Sequence, residues 1–335
     1  MLDCLLIADD VTGACDAAVY FAKRGRRAVV GLELEAGAPC GDVAAVSTNS
    51  RSESRPLEAD ALRRLPFREA RILFKKIDST MRGNVGGEIT AVAAAFECEA
   101  AVITPAFPAV GRVVEAGFLR LKQGQAFPPI EVARRLRWQG AEPCLHVKPD
   151  AVLGALESGV RFISVDALSD EDLDWIVKDD AGKRVLWAGS GGLAGALART
   201  IAPQAGSAGA EVDTTGASLF CIGSDHPVTQ AQLDRLIALR PDRRVMRIAR
   251  GTPTGEVREA IQRAAPRALV LSGGDTALLV LRAVEAQHME MRDEILSGIP
   301  HGILRGGLLD GVAVATKAGA FGGPDALIRV ADFFQ

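Results

Sequence analysis

The sequence predicts an α/β protein of two domains, each with a largely parallel sheet flanked by helices, and a cleft between them. Three observations carry this prediction. At 335 residues the chain is too long for one small domain. Short apolar runs alternate with amphipathic stretches, the pattern of parallel strands covered on both faces. The alternation stops at the Ala-, Gly-, Pro- and Ser-rich segment Ala202 to Gly216 and then restarts, so residues 1–205 and 216–335 are expected as domains, with 206–215 as linker.

Taken in order, Leu5 to Ala8 reads as a buried strand, and Thr12 to Lys23 as the helix after it. Ala28 to Leu32, Val43 to Thr48, Ile72 to Ile77 and Ala101 to Thr104 continue the strands, with helices over Pro56 to Leu65 and Gly86 to Glu97. Gly117 to Phe127 differs: a Gln-Gly turn sits between two short extended pieces, which predicts a hairpin or flap. Arg161 to Val165 and Arg184 to Ala188 are the next strands. Beyond the linker, Leu219 to Ile222, Val245 to Ala249 and Ala268 to Leu271 are strand-like, each followed by a helical run. The Gly-rich tail Gly298 to Gly323 holds two more, Gly302 to Leu304 and Val312 to Thr316.

Composition narrows the partners. Thirty-nine Lys and Arg against 42 Asp and Glu give a net charge of −3, so no basic field exists to hold nucleic acid or an anionic membrane. Twelve Phe, three Trp and one Tyr stand against 35 Gly, which favours close backbone approach to small polar or phosphorylated ligands over flat apolar ones. The six cysteines are scattered without a C-x-x-C pair and read as buried small hydrophobes in a reducing compartment. Asp9 and Asp10 directly follow the first apolar run, unlike a secretory signal, and a cytoplasmic protein is expected.

The polar residues gather at strand ends. Asp9 and Asp10 precede Thr12-Gly13 at the carboxyl edge of the first strand, where open α/β sheets bind ligands. A helix cap accounts for one polar residue there but not for a contiguous acidic pair. Lys75 to Asn84 is the densest polar segment: Lys76, Asp78, Ser79 and Arg82 suit a carboxylate and several hydroxyls, and Arg51 adds a second guanidinium. The loop from Thr104 to Pro108 with Gly111-Arg112 would wall the same cleft.

Ala188 to Ala194 superficially matches a G-x-G-x-x-A dinucleotide fingerprint. No strand ending in an acidic residue follows about twenty residues on, so a tight turn or anion contact is expected rather than NAD binding. In the second half, Gly223 to Gln230, Ser272 to Thr276 and Lys317 to Gly323 each join a strand end to Gly-rich backbone. Such backbone suits phosphate, with Lys317 offsetting its charge.

Together the runs ADDVTGACD (8–16), KKIDSTMRGN (75–84), PAFPAVGR (105–112), SGGDTA (272–277) and KAGAFG (317–322) resemble the four-carbon acid sugar kinase family, in order along essentially the whole chain. The resemblance implies a kinase that uses ATP and Mg2+ to phosphorylate the terminal hydroxyl of an acid such as D-threonate or D-erythronate. The first domain would bind the acid and the second the nucleotide. It places the acid at Asp10, Lys76, Asp78, Ser79 and Arg82, and ATP at Ser224, Gly273, Gly274, Asp275, Thr276 and Gly319. Asp9 and Arg51 are expected to join the acid site, and Lys317 and Gly322 the nucleotide site. Asp78 or Asp10 is expected to orient and deprotonate the acceptor hydroxyl, and Asp275 to reach Mg2+ through water. In this pattern His226 stands where many relatives carry serine, and the chain is shorter than the pattern leads one to expect. A homodimer is left open, and a non-catalytic sensor of acid sugar and nucleotide is the alternative.

Overall fold

The structure is a computed structural model and describes residues 1–51, 57–122, 127–204 and 215–335. The chain begins with β1 (Leu2–Ala8), α1 (Val11–Ala22), β2 (Ala28–Gly31), β3 (Val43–Ser47), α2 (Ala59–Arg63), β4 (Ala70–Lys76), α3 (Val85–Ala95) and β5 (Ala100–Thr104). Next come β6 (Arg112–Glu115), β7 (Phe118–Leu121), β8 (Ile130–Glu131), α4 (Val132–Trp138), β9 (Cys144–Val147), α5 (Val152–Glu157), β10 (Phe162–Val165), α6 (Asp170–Ile176), β11 (Val185–Gly189) and α7 (Gly191–Arg199). The second half holds β12 (Ser218–Ile222), α8 (Pro227–Leu239), β13 (Arg244–Arg247), α9 (Thr254–Ala264), β14 (Ala268–Ser272) and α10 (Gly274–Ala283). It closes with β15 (His288–Leu296), β16 (Ile299–Arg305), β17 (Ala313–Lys317) and α11 (Ala326–Phe333).

Most strands read from apolar runs are parallel and buried, but β13 stays partly exposed at the sheet edge and β16, read at Gly302 to Leu304, is antiparallel to both its neighbours. Every residue of β3, β5, β14 and β17 is inaccessible or nearly so, because helices cover both faces. In the first half β2-β3-β1-β4-β11-β5-β10-β9 are neighbours, and in the second β13-β12-β14-β17.

The two half-sheets are not separate. Strand β15, which the sequence pattern did not suggest, pairs antiparallel with β2 (Met289 opposite Val30) and with β16, and so joins all fourteen strands into one sheet. The antiparallel steps from β2 through β15, β16 and β17 leave the parallel strands of the two halves running in opposite senses. Six steps separate β14 from β1. At roughly 20–25° of twist per step the strand direction turns through about 120–150°, and register shifts in β15 add to this, which brings both carboxyl edges toward one cleft.

The expected hairpin is part of a small antiparallel sheet, β6-β7-β8, in which Phe118 pairs with Glu131. Its Gln123-Gly124 turn, Pro56 of the second expected helix and linker residues 206–214 lie outside the described residues. Helix α1 is central. Gly13, Ala14, Ala17 and Ala18 make it slim enough to lie buried against both α7 and β15.

Candidate active site

The acid-rich cluster is built at three neighbouring strand ends. Asp9 and Asp10 follow β1, Arg51 lies beyond β3, and Asp78 lies just past β4. Arg51 grips Asp9 with both arms, Nε to Oδ2 at 2.8 Å and Nη2 to Oδ1 at 2.7 Å. Its Nη1 also meets Asp10 and lies 3.8 Å from Asp78 Oδ1. Asp10 caps α1 by accepting from the Gly13 amide at 2.6 Å, and it accepts from Thr12 Oγ1 at 3.0 Å.

Asp78 accepts from Arg82 Nη2 at 2.6 Å and Nε at 3.0 Å, from the Thr80 amide at 3.1 Å, and from the Thr80 hydroxyl. The turn that makes this possible puts Met81 at φ 56° and Gly83 at φ 81°. Burial alone would raise both Asp9 and Asp78. The Arg51 guanidinium outweighs it at Asp9, and Arg51 with Arg82 holds Asp78 far below the usual carboxylate range. An acid so stabilised in its charged form is a poor proton acceptor, and the oxygens of Asp10 are occupied as well. Neither is thereby well placed to take the proton of an acceptor hydroxyl, the role the sequence leads one to expect of one of them.

Beside this cluster lies a cavity of about 960 Å³. Arg51, Lys76, Asp78, Ser79 and Arg82 line it from one half, and Pro108 to Arg112 form a second wall. From the other half come His226, Leu296 to Gly298, Ala318 and Ala320 to Pro324, including Gly322. Asp9 and Asp10 stand behind the lining and anchor Arg51. Asp16, not singled out from the sequence, also lines the cavity, buried on α1 with Oδ2 3.5 Å from Lys76 Nζ. Burial is the largest influence on it and lifts its carboxyl to about 6 against the pull of Lys76, with Glu294 and Asp10 adding to the rise. The glycines read as a tight turn or anion contact admit Asp16 to the start of α7: a Cβ on Gly191 would stand 2.9 Å from its Oδ2.

The Gly-rich segments converge next to the cavity. A Cβ on Gly319 would stand 2.5 Å from Ser224 Oγ, and one on Gly273, at φ 103°, would stand 3.4 Å from both Ser224 Cβ and Thr276 Oγ1. A Cβ on Gly274 would meet Asp10 Oδ2 at 2.5 Å, so the start of α10 touches the acid cluster directly. Lys317 is buried, its Nζ 3.0 Å from Thr229 Oγ1 and 3.1 Å from the Gly319 carbonyl, and burial pushes its amine down to about 7. Gln232, which no local motif marks, fastens the loop by donating to the carbonyls of Gly322 and Gly323, each at 2.9 Å. Phe321 then crosses the cleft, its ring 6.0 Å from that of Phe107 and 4.7 Å from the Arg112 guanidinium carbon. His226 caps α8, its Nδ1 accepting from the Val228 amide at 3.3 Å.

Among the described residues no three His, Cys, Asp or Glu side chains group as a metal cluster. Asp275 is exposed on the first turn of α10, at the edge of the Gly-rich segments. That is the kind of single carboxylate a nucleotide-borne Mg2+, which keeps most of its waters, requires of a protein. No helix is long and apolar enough to cross a membrane among the described residues.

Comparison with known proteins finds matches in both halves of the chain. Residues 4–135 match a family model described as a sugar-binding N-terminal domain, and residues 251–327 one described as a nucleotide-binding C-terminal domain. A D-threonate kinase of Cupriavidus necator is 30% identical, covering 96% of this chain and 96% of that one. A D-threonate kinase of Bordetella bronchiseptica is 29% identical over 97% and 96%. A D-erythronate kinase of Heliobacterium modesticaldum is 25% identical over 99% and 97%. In fold, a solved protein of Salmonella typhimurium LT2 superposes with a TM-score of 0.74 at 21% identity over 100% of both chains. One of Haemophilus influenzae gives 0.63 at 18% identity, covering 99% of this chain and 100% of that one. Sequence likeness over nearly the full length, with a sugar-binding half and a nucleotide-binding half in that order, makes this chain a member of the four-carbon acid sugar kinases and an ATP-dependent enzyme.

Proposed function

We propose that the enzyme transfers the γ-phosphoryl group of ATP to the terminal, 4-hydroxyl of a four-carbon acid such as D-threonate or D-erythronate, the acids named in its relatives. Residues 1–205 hold the acid, residues 216–335 hold the nucleotide, and 206–215 connect them. The observation that carries the reading is the meeting of the two clusters at one cavity, with Gly274 against Asp10.

In this reading Arg82 and Lys76 take the substrate carboxylate and hydroxyls, and Ser79 hydrogen-bonds a hydroxyl. Asp9, Asp10 and Asp78 hold Arg51 in place, which fixes the acid's surroundings before it binds. Ser224, Gly273, Gly274, Thr276, Gly319 and Gly322 offer backbone and hydroxyl donors to the phosphates, and Lys317 offsets their charge. Mg2+, held through Asp275, would neutralise phosphate charge when bound. Phe321 against Phe107 and Arg112 helps keep water from the transferred group. Six free cysteines are consistent with a cytoplasmic setting.

The test is ADP formation with ATP, Mg2+ and each of D-threonate, D-erythronate and 3-oxo-tetronate, with phosphorus NMR locating the ester. An ester on any oxygen but that of C4 removes the positional assignment. Tight binding of both ligands without ADP would leave a sensor in place of a kinase.

A further inference from the structure

We propose that Asp16, on the buried face of α1, is the group that takes the proton from the acceptor hydroxyl. The inference rests on the kinase reading above. Among the described residues two carboxylates line the cavity, Asp16 and Asp78. Asp78 is saturated by Arg82, Thr80 and the neighbouring Arg51. Asp16 is 4% exposed, its Oδ2 is 3.5 Å from Lys76 Nζ, and its Oδ1 has no hydrogen-bond partner among the described residues. A buried carboxylate oxygen left unpaired costs stability unless something else uses it.

Among the described residues the charged and titratable groups facing Asp16 are Lys76 on β4, Glu294 on β15, Asp10, Cys15 and Tyr20 of its own helix and its cap, and Arg112 across the cavity. The start of α7 brings only backbone, from Gly191. Burial together with Glu294 and Asp10 lifts Asp16 to about 6, while Lys76 keeps it from rising further. A carboxylate tuned there is ionised at neutral pH and yet more basic than an ordinary aspartate, as a general base requires.

The step balances without an added reactant. The substrate hydroxyl oxygen forms a bond to the γ-phosphorus of ATP as the bond from that phosphorus to the β,γ-bridging oxygen breaks, and ADP leaves with that electron pair. The hydroxyl proton passes to the Asp16 carboxylate and then to solvent. Lys76, which lines the cavity beside Asp16, holds the hydroxyl in line.

The experiment measures kcat against pH, at saturating ATP, Mg2+ and whichever of D-threonate, D-erythronate or 3-oxo-tetronate the parent enzyme uses. The enzymes compared are the parent, Asp16→Asn and Asp78→Asn, with calorimetric binding of both ligands to each variant. The expected results are a parent kcat that falls as pH drops through about 6 and, for Asp16→Asn, a loss on the order of 10²- to 10⁴-fold with both ligands still bound and the acid limb gone. Asp78→Asn should weaken acid-sugar binding and keep the acid limb. Asp16→Asn within a few-fold of the parent, or an acid limb lost in Asp78→Asn and kept in Asp16→Asn, overturns the assignment and leaves the kinase intact. If Asp16→Asn does not fold, the parent profile decides: an acid limb near 6 supports Asp16, and a kcat flat between about pH 5 and about pH 8 overturns it. A parent that makes no ADP with any of the three acids defeats the kinase reading and this inference together.

Discussion

Lys317 is a lysine buried with no carboxylate beside it among the described residues. Its amine faces a hydroxyl and two carbonyls, and burial brings it down to about 7, so much of it is neutral in the empty protein near physiological pH. The unfolded chain keeps this proton up to the ordinary lysine range of about 10.4. Between those limits the unfolded state binds more protons, so the contribution from Lys317 rises with pH through that window and is lost as pH falls through about 7. The melting temperature of the unliganded protein should climb more steeply across the window than that of Lys317→Met, a comparison that scanning calorimetry makes directly. A triphosphate arriving at this loop should restore the charge. Calorimetry in buffers of different ionisation heat should therefore find net proton uptake on ATP binding, smaller in Lys317→Met, with affinity reduced on the order of tenfold. Equal proton uptake in both proteins would remove Lys317 from the nucleotide site.

At the scale of elements, two glycines of the second half do different work. Gly319 abuts Ser224 and His226, so Gly319→Val should raise the KM for ATP by about tenfold or more with the KM for the acid little changed. Gly274 abuts Asp10, so even Gly274→Ala should disturb both ligands, and steady-state kinetics with each substrate varied in turn separates the two outcomes. Equal effects from both substitutions would contradict this division. Most of the parallel strands could be read in advance because burial on both faces writes itself as unbroken apolar sequence; the parallel edge strand β9, only partly buried, was not read. The gathering of Asp9, Arg51, Lys76, Asp78 and Arg82 could be read because all of them lie at or just beyond strand ends. Strand β15 was opaque: it interleaves Met289 and Met291 with Glu290, Arg292, Asp293 and Glu294, and pairing with β2 and β16 supplies what local propensity lacks. Its charges are matched across the seam, as where Arg27 and Arg305 each lie 3.0 Å from Glu290. Asp16 was opaque for another reason. Inside a helix it looks like any solvated aspartate, and only its small neighbours Ala14, Ala17 and Ala18 hint that this part of α1 is buried.

The whole molecule behaves as one sheet carrying two chemistries. Trp138, Trp175 and Trp187 all belong to the first half, so their fluorescence reports that half alone, whereas far-ultraviolet circular dichroism reports both. With β2 and β15 paired, and Tyr20 and Lys23 tied to Glu294, the two signals should follow one denaturant transition; a separation of midpoints would mean that the halves unfold independently. The same short ladder also sets how the cleft can move. A hinge would let the halves swing freely, but here any change in the gap must alter the pitch of a continuous ribbon through Val29, Val30 and Met289. Those residues lie on a torsion bar, outside the cavity lining, and deuterium exchange at their amides should register whether the cavity is filled.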